Sequence, residues 1–202
     1  MNYSQYGEES VLHNFFKGKR QGYVLDVGAA DGITNSNSRY LITELGWNAT
    51  LVEPHPSYFS KLEYLYAKHK NINLLNLAVY NKAGTMPFYP YGSGDDMQVS
   101  TLSQEFKNRV VKVHGDRYYE PIMVNVTTLD SIFESLSFVD FLSIDCEGVD
   151  IAVLESNNWD KHRPAILCVE HSMPKEELDA CMLNKRYKLF TRTTGNSFYV
   201  SY

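Results

Sequence analysis

Short apolar runs of strand length alternate along this chain with longer runs of helical period, and four of the strand ends carry acids. These two features predict a doubly wound α/β domain. Its sheet is mostly parallel, an antiparallel hairpin closes the C-terminal edge, and a ligand is met at the carboxyl ends of the strands. The size agrees. With 202 residues, 44% hydrophobic and 21% charged, the chain has ordinary globular usage and enough material for one core without disulfide or metal staples. A single domain over 1–202 is expected, with no repeat or linker dividing it.

Each element has a local reason. Residues 1–22 form a polar N-terminal helical segment. Tyr23–Val27 is a buried strand interrupted by Asp26, and Gly28–Gly32 is the tight loop after it. Ser36–Leu45 is helical, capped by Ser36 or Asn35 and stopped by Gly46. Ala49–Val52 is a second buried strand ending at Glu53. Pro54 and Pro56 block helix until Ser57, after which Phe59, Leu62, Leu65 and Tyr66 form one apolar face. Ile72–Val79 is a third strand, and Thr85–Tyr89 a short one after the turn at 81–84. Residues 90–120 are the least regular, with Gly92-Ser93-Gly94-Asp95-Asp96 as a loop. Strand returns at Ile122–Thr127, helix at Leu129–Leu136, strand at Phe138–Ile144 ending on Asp145, and helix at Val149–Glu155. Ala165–Val169 is a strand ending at Glu170-His171. Pro174 opens a helix at its favoured first-turn position, and Tyr187–Thr193 with Ser197–Tyr202 forms the closing hairpin around Gly195-Asn196.

Charge and ends exclude several roles. Lys plus Arg is 19 against 24 Asp plus Glu, a net charge of −5, so nucleic acid is not the expected partner. No apolar stretch approaches the roughly 18 residues of a membrane span, and the N-terminus has no secretory signal. Cys146, Cys168 and Cys181 are dispersed without a CxxC, which predicts reduced, buried thiols and a cytoplasmic protein.

The first loop discriminates between cofactors. A nicotinamide site needs GxGxxG so that a pyrophosphate can approach the backbone. Here Ala29, Ala30 and Asp31 stand between Gly28 and Gly32, and Asp26 precedes them. The pattern suits a cationic ligand without phosphate, which describes S-adenosylmethionine. Glu53 lies 21 residues after Gly32, where a carboxylate can accept both ribose hydroxyls.

Val24-Leu25-Asp26-Val27-Gly28-Ala29-Ala30-Asp31-Gly32, Ser36-Asn37-Ser38, Gly46-Trp47, Val52-Glu53-Pro54-His55-Pro56 and Asp140-Phe141-Leu142-Ser143-Ile144-Asp145-Cys146-Glu147-Gly148 resemble the FkbM family of methyltransferases. Ser4-Gln5-Tyr6-Gly7-Glu8-Glu9 and Thr128-Leu129-Asp130 resemble it as well. The resemblance implies a class I methyltransferase fold, a Rossmann-like, mostly parallel seven-stranded sheet. It also implies O-methylation of sugar or natural-product hydroxyls, with S-adenosylhomocysteine as the product. By that resemblance Asp26, Gly28 and Glu53 would hold the cofactor, and the full set expected to bind it is Gln5, Asp26, Gly28, Ala29, Asp31, Gly32, Ser38, Glu53, Pro54, Ala78 and Asp145.

Methyl transfer to a hydroxyl needs alignment and a proton acceptor. Asp145 at the fourth strand end is one candidate base. His171, oriented by Glu170, is the other. Asp145, Glu170 and His171 are also the expected ligands of a Mg or Mn ion, if one assists. Glu147 and Gly148 are expected to cap the next helix.

The acceptor site is expected from 1–22 and 90–120, or from a second subunit of an oligomer. There Tyr3, Tyr6, Tyr89, Tyr91, Tyr118 and Tyr119 would offer ring faces and hydroxyls to a sugar such as rhamnose in a glycan. Asp95, Asp96, Arg109, Lys112, His114 and Arg117 would complete a lid. Competing readings are methylation of a non-sugar metabolite or lipid hydroxyl and a non-catalytic cofactor-binding module; a nicotinamide oxidoreductase is disfavoured by the missing glycine.

Overall fold

The computed structural model describes residues 3–92, 98–171 and 174–202. Its strands are β1 (Tyr23–Val27), β2 (Asn48–Val52), β3 (Ile72–Leu75), β4 (Ala78–Val79), β5 (Gly84–Phe88), β6 (Ile122–Thr127), β7 (Phe141–Ile144), β8 (Ile166–Glu170), β9 (Tyr187–Arg192) and β10 (Asn196–Ser201). The helices are α1 (Glu8–Phe16), α2 (Arg39–Thr43), α3 (Pro56–Tyr66), α4 (Gln104–His114), α5 (Leu129–Glu134), α6 (Asp150–Glu155) and α7 (Lys175–Asn184).

Seven strands form the main sheet in the order β3-β2-β1-β7-β8-β10-β9. The mostly parallel doubly wound sheet is therefore present. The hairpin places β10 between β8 and the edge strand β9, antiparallel to both. Only β10 runs against the rest. The two faces follow the period of 2. On β1, β7 and β8, Leu25, Val27, Leu142, Ile144, Leu167 and Val169 enter one core cluster. Val24, Phe141, Ile166 and Cys168 enter the other, with Leu12 of α1 and Trp47. Asp26 and Ser143 share that second face and are direct partners in the β1–β7 register.

Several expectations are corrected. Ile72–Val79 is not one strand. The side-chain amide of Asn76 donates to the Glu53 carbonyl at 2.9 Å, the chain leaves β2 there, and Ala78–Val79 joins a separate three-stranded sheet ordered β4-β6-β5. Pro56 does not delay its helix but opens it, with His55 Nδ1 accepting the Ser57 N–H at 3.2 Å. The helix expected over Ser36–Leu45 shortens to α2 because residues 31–38 remain a loop. The stretch 90–120 contains α4, capped by Ser103 Oγ accepting from Phe106 N. Among the described residues, α4 buries none fully, so its apolar pattern is weak.

β1 and β7 lie side by side, and the loops leaving them meet. Gly28 has φ +87, and a Cβ there would sit 1.8 Å from the Asp145 carbonyl oxygen. Its N–H donates to Val52 O at 3.0 Å, tying the loop to β2. Gly28→Ala should therefore lower the unfolding free energy by more than about 2 kcal/mol, through left-handed strain and backbone overlap. An unchanged midpoint in chemical denaturation would show that the two loops can part freely.

Candidate active site

The carboxyl ends of β1, β2, β7 and β8 open into one cavity of about 320 Å³. Burying carboxylates there without cations is costly, so the local supports are informative. Asp26 is 3% exposed. Burial holds its carboxyl above the usual range, while the Ser38 and Ser143 hydroxyls, hydrogen-bonded to it, pull the other way. Glu53 follows β2. Its Oε2 accepts the Ala30 N–H at 2.8 Å and its Oε1 the His55 N–H at 2.7 Å. Each oxygen keeps acceptor capacity for a further donor. Burial pushes Glu53 up to about 7, against those two hydrogen bonds.

Asp145, Glu147 and Glu170 form the opposite wall. One carboxylate oxygen from each lies within 4.8 Å of the others. Burial raises all three, and the Asp150 charge adds to each; Asp145 also raises Glu147 and Glu170, while its hydrogen bond with Glu170 pulls Asp145 itself the other way. The group therefore holds protons at a pH where isolated carboxyls would not. Glu147 was expected as a cap. Instead it adopts φ +51, with its carbonyl accepting from Thr101 Oγ1 at 2.7 Å. The α6 N-terminus has no side-chain cap, and Asp150, fully buried, instead ties down the loop before the helix. It accepts from Cys146 N at 2.9 Å and Gly148 N at 3.3 Å. The signal for Glu147 was its two-residue spacing from Asp145, and the left-handed backbone that uses it is not visible in a sequence.

Of the expected cofactor residues, Gln5, Asp26, Gly28, Ala29, Glu53, Pro54, Ala78 and Asp145 line this cavity. Asp31, Gly32 and Ser38 do not. Asp31 Oδ1 accepts from Ile33 N and Thr34 N at 2.9 and 2.8 Å, so its carboxylate closes its own loop. Gly32 packs against α3, where a Cβ would meet Leu62 at 2.6 Å. Ser38 supports Asp26 from behind. His171 is also absent from the wall. Its Nε2 lies 2.6 Å from Ser197 Oγ, which pins the end of β8 to β10. A hard divalent ion would thus find Asp145, Glu147 and Glu170 rather than the set containing His171.

The N-terminal segment reaches the cavity through Gln5 and Tyr6. Glu8 anchors it, accepting from Thr193 Oγ1 at 2.6 Å and Asn196 Nδ2 at 2.9 Å. Among the six tyrosines singled out, only Tyr6 lines the cavity. Tyr91 is 4% exposed and packs on Tyr118, whose hydroxyl donates to Val99 O. Lys107 lies over Tyr89 and Tyr118, and Tyr3 bonds Glu44. Tyr89, Tyr91 and Tyr118 thus hold the 90–120 segment together, and Tyr3 is engaged away from it. Arg109, Lys112, His114, Arg117 and Tyr119 are likewise off the wall. Asp95 and Asp96 lie outside the described residues. The segment's own contribution is Gln98 to Leu102. Gln98 bridges to Thr34 O at 3.0 Å and Asn35 Nδ2 at 3.2 Å, roofing the cavity.

Comparison with known proteins fits this geometry. Residues 26–192 match the methyltransferase FkbM domain.

The chain belongs to the FkbM methyltransferase family.

The crystal structure of methyltransferase FkbM from Methylobacillus flagellatus KT is 14% identical, with a TM-score of 0.59 over 89% of this chain and 43% of that one. The present chain thus spans less than half of that structure's length. A SAM dependent methyltransferase from Aquifex aeolicus is 13% identical, with a TM-score of 0.48 over 96% of this chain and 88% of that one. At 14% identity the likeness to the Methylobacillus flagellatus structure is one of fold alone. Among curated proteins none matches. The FkbM match begins at Asp26, so Gln5, Tyr6 and Glu8 precede it. No helix among the described residues is long and apolar enough to cross a membrane.

Glu53 sets a pH dependence. Its folded-state pKa of about 7 stands above the ordinary 4.5. The stability it contributes is therefore fully present below about 4.5 and lost as pH rises through about 7. Thermal midpoints of the cofactor-free protein between pH 5 and about 8 should fall less steeply for Glu53→Gln than for the parent. Parallel curves would place Glu53 in contact with solvent.

Proposed function

We propose that this chain is an S-adenosylmethionine-dependent O-methyltransferase acting on a hydroxyl of a sugar, such as a deoxyhexose within a glycan. The observation that carries the cofactor assignment is Glu53. Its carboxylate is fixed at the end of β2 by two backbone donors and lines the cavity with Asp26. That arrangement suits a ribose diol. Gly28 leaves room where any side chain would strike Asp145, and the buried carboxyls suit a sulfonium and an ammonium. When bound, the cofactor supplies an electrophilic methyl group.

The chain's own residues would do the rest. Asp145 lines the cavity next to Gly28 and is positioned to take the acceptor's proton. Its raised pKa makes it a better base than an ordinary aspartate. Glu170 and Glu147 would share the proton afterwards, since three close carboxyls cannot all stay ionised. Gln98, with the N-terminal Gln5 and Tyr6, would exclude water and orient the acceptor. Asn35, Asn37 and Ser100 offer polar contacts on the wall, in keeping with a hydroxyl-rich acceptor. This support, with the family, stands in place of a tyrosine platform. The same three carboxylates fit a Mg or Mn ion; loss of turnover in EDTA and its return with Mg would assign them to metal binding.

Calorimetry should give binding heat with S-adenosylmethionine and none with NAD. The reverse would refute the cofactor assignment. Glu53→Ala and Asp26→Ala should each weaken the cofactor by about tenfold or more. Asp145→Asn should reduce kcat by about 100-fold or more with cofactor affinity nearly kept, and His171→Ala should retain most activity. An inactive but folded His171→Ala would return the base to histidine.

A further inference from the structure

The cavity carries five carboxyl groups, Asp26, Glu53, Asp145, Glu147 and Glu170, and no Lys, Arg or His lines it among the described residues. The segments 1–2, 93–97 and 172–173 contain no basic side chain in the sequence either. Basic groups on the surrounding elements are committed elsewhere. Lys61 Nζ lies 4.0 Å from Asp31 and 5.0 Å from the Tyr58 ring centroid. Arg39 Nη1 donates to Gly32 O at 3.2 Å.

Backbone donors could still hold an anion, as a phosphate-binding turn does. In the turns that follow β1, β2, β7 and β8, many of these donors are already committed. The N–H groups of Gly28 and Ala29 donate to Val52 O at 3.0 and 3.1 Å, and that of Gly32 to Ala29 O at 3.0 Å. Ala30 and His55 donate to Glu53. Ile33 and Thr34 donate to Asp31. In the β7–α6 loop, Cys146 and Gly148 donate to Asp150. The His171 N–H donates to Gly195 O at 2.8 Å. These ten amides thus turn inward to the protein's own acceptors.

We propose that this cavity admits acceptors only in neutral or amine-bearing form, so that phosphorylated sugars and sugar nucleotides are excluded and methylation acts on a hydroxyl compound free of anionic groups near the reacting carbon. This rests on the methyltransferase reading of the same site and sharpens it. A phosphate would have to be desolvated against carboxylates with no cationic side chain on the wall to offset its charge. A protonated amine would meet partners instead. The order of reactions follows: the sugar loses its nucleotide or phosphate before methylation, so a glycosyl transfer or a dephosphorylation must precede this step.

The test uses full-length protein saturated with S-adenosylhomocysteine in EDTA, which keeps metal from the carboxylates. Three probes are titrated by calorimetry: a methyl hexoside, the matching aminohexoside and the hexose 6-phosphate. Both uncharged and amine-bearing probes should bind at least about tenfold more tightly than the phosphate. In Glu147→Gln and Glu170→Gln, folded as judged by retained S-adenosylhomocysteine heat, that gap should narrow at least about threefold. Phosphate binding within tenfold of the neutral probe, including no measurable binding of any, would overturn the proposal while leaving the cofactor assignment standing. Absence of S-adenosylhomocysteine heat in the parent protein would defeat both.

Discussion

Five carboxyl groups around one cavity, two buried and three half-buried, are a liability that the fold must hold in place, and most of the local architecture is explained by how it does so. Charges of one sign at close range in a weakly polar interior raise one another's pKa and oppose folding at neutral pH. The protein answers with backbone amides and hydroxyls. Ala30 and His55 fix Glu53; Ser38 and Ser143 support Asp26. Asp150 rigidifies the loop that carries Asp145 and Glu147. Ser143 comes from the neighbouring strand β7 and Ala30 from the turn after the neighbouring strand β1, so the sheet order dictates those two pairings, while Ser38 arrives at the N-terminus of α2. The same supports commit backbone donors that could otherwise face an anion. A cleft that stabilises its own carboxylates in this way becomes selective for cations.

Much of this was legible in the sequence, because strand periodicity and loop glycines are local signals. β1, β2, β7 and β8 were readable from apolar runs, and Asp26, Glu53, Asp145 and Glu170 from their places at the ends of those runs. Parallel strands put all such ends on one side, so convergence on a single cavity followed from fold class alone. Gly28 and Gly32 were legible as a tight turn, but their separate reasons were not. Gly28 faces the Asp145 carbonyl and Gly32 faces α3, and both are contacts across the sheet.

The remainder depended on partners far along the chain or on backbone conformation. His171 resembled a base beside Glu170 until Ser197, 26 residues on, claimed its Nε2. Asp31 looked like a ligand until the loop's own amides took it. The tyrosine excess pointed to a sugar platform, but Tyr91, Tyr118 and Tyr89 hold α4 and its flanks together. Residues 90–120 looked irregular because α4 buries no residue completely, and a helix without a buried stripe leaves little periodicity to read. The three-stranded sheet escaped notice because β4 has two residues and its pairing with β6 spans nearly fifty positions of sequence.

The central claim is that a cationic cofactor relieves the strand-end carboxyl groups. At pH 7 Glu53 is near its own pKa of about 7 in the cofactor-free protein, so it is partly protonated, and two ribose hydroxyl donors, in a cavity that also takes up the cofactor's positive charge, would favour the ionised form. Titration of the protein with S-adenosylmethionine in buffers of different ionisation enthalpy measures this directly. The account predicts net proton release on binding near neutral pH, diminishing in Glu53→Gln. Proton uptake, or binding heat independent of the buffer, would contradict it.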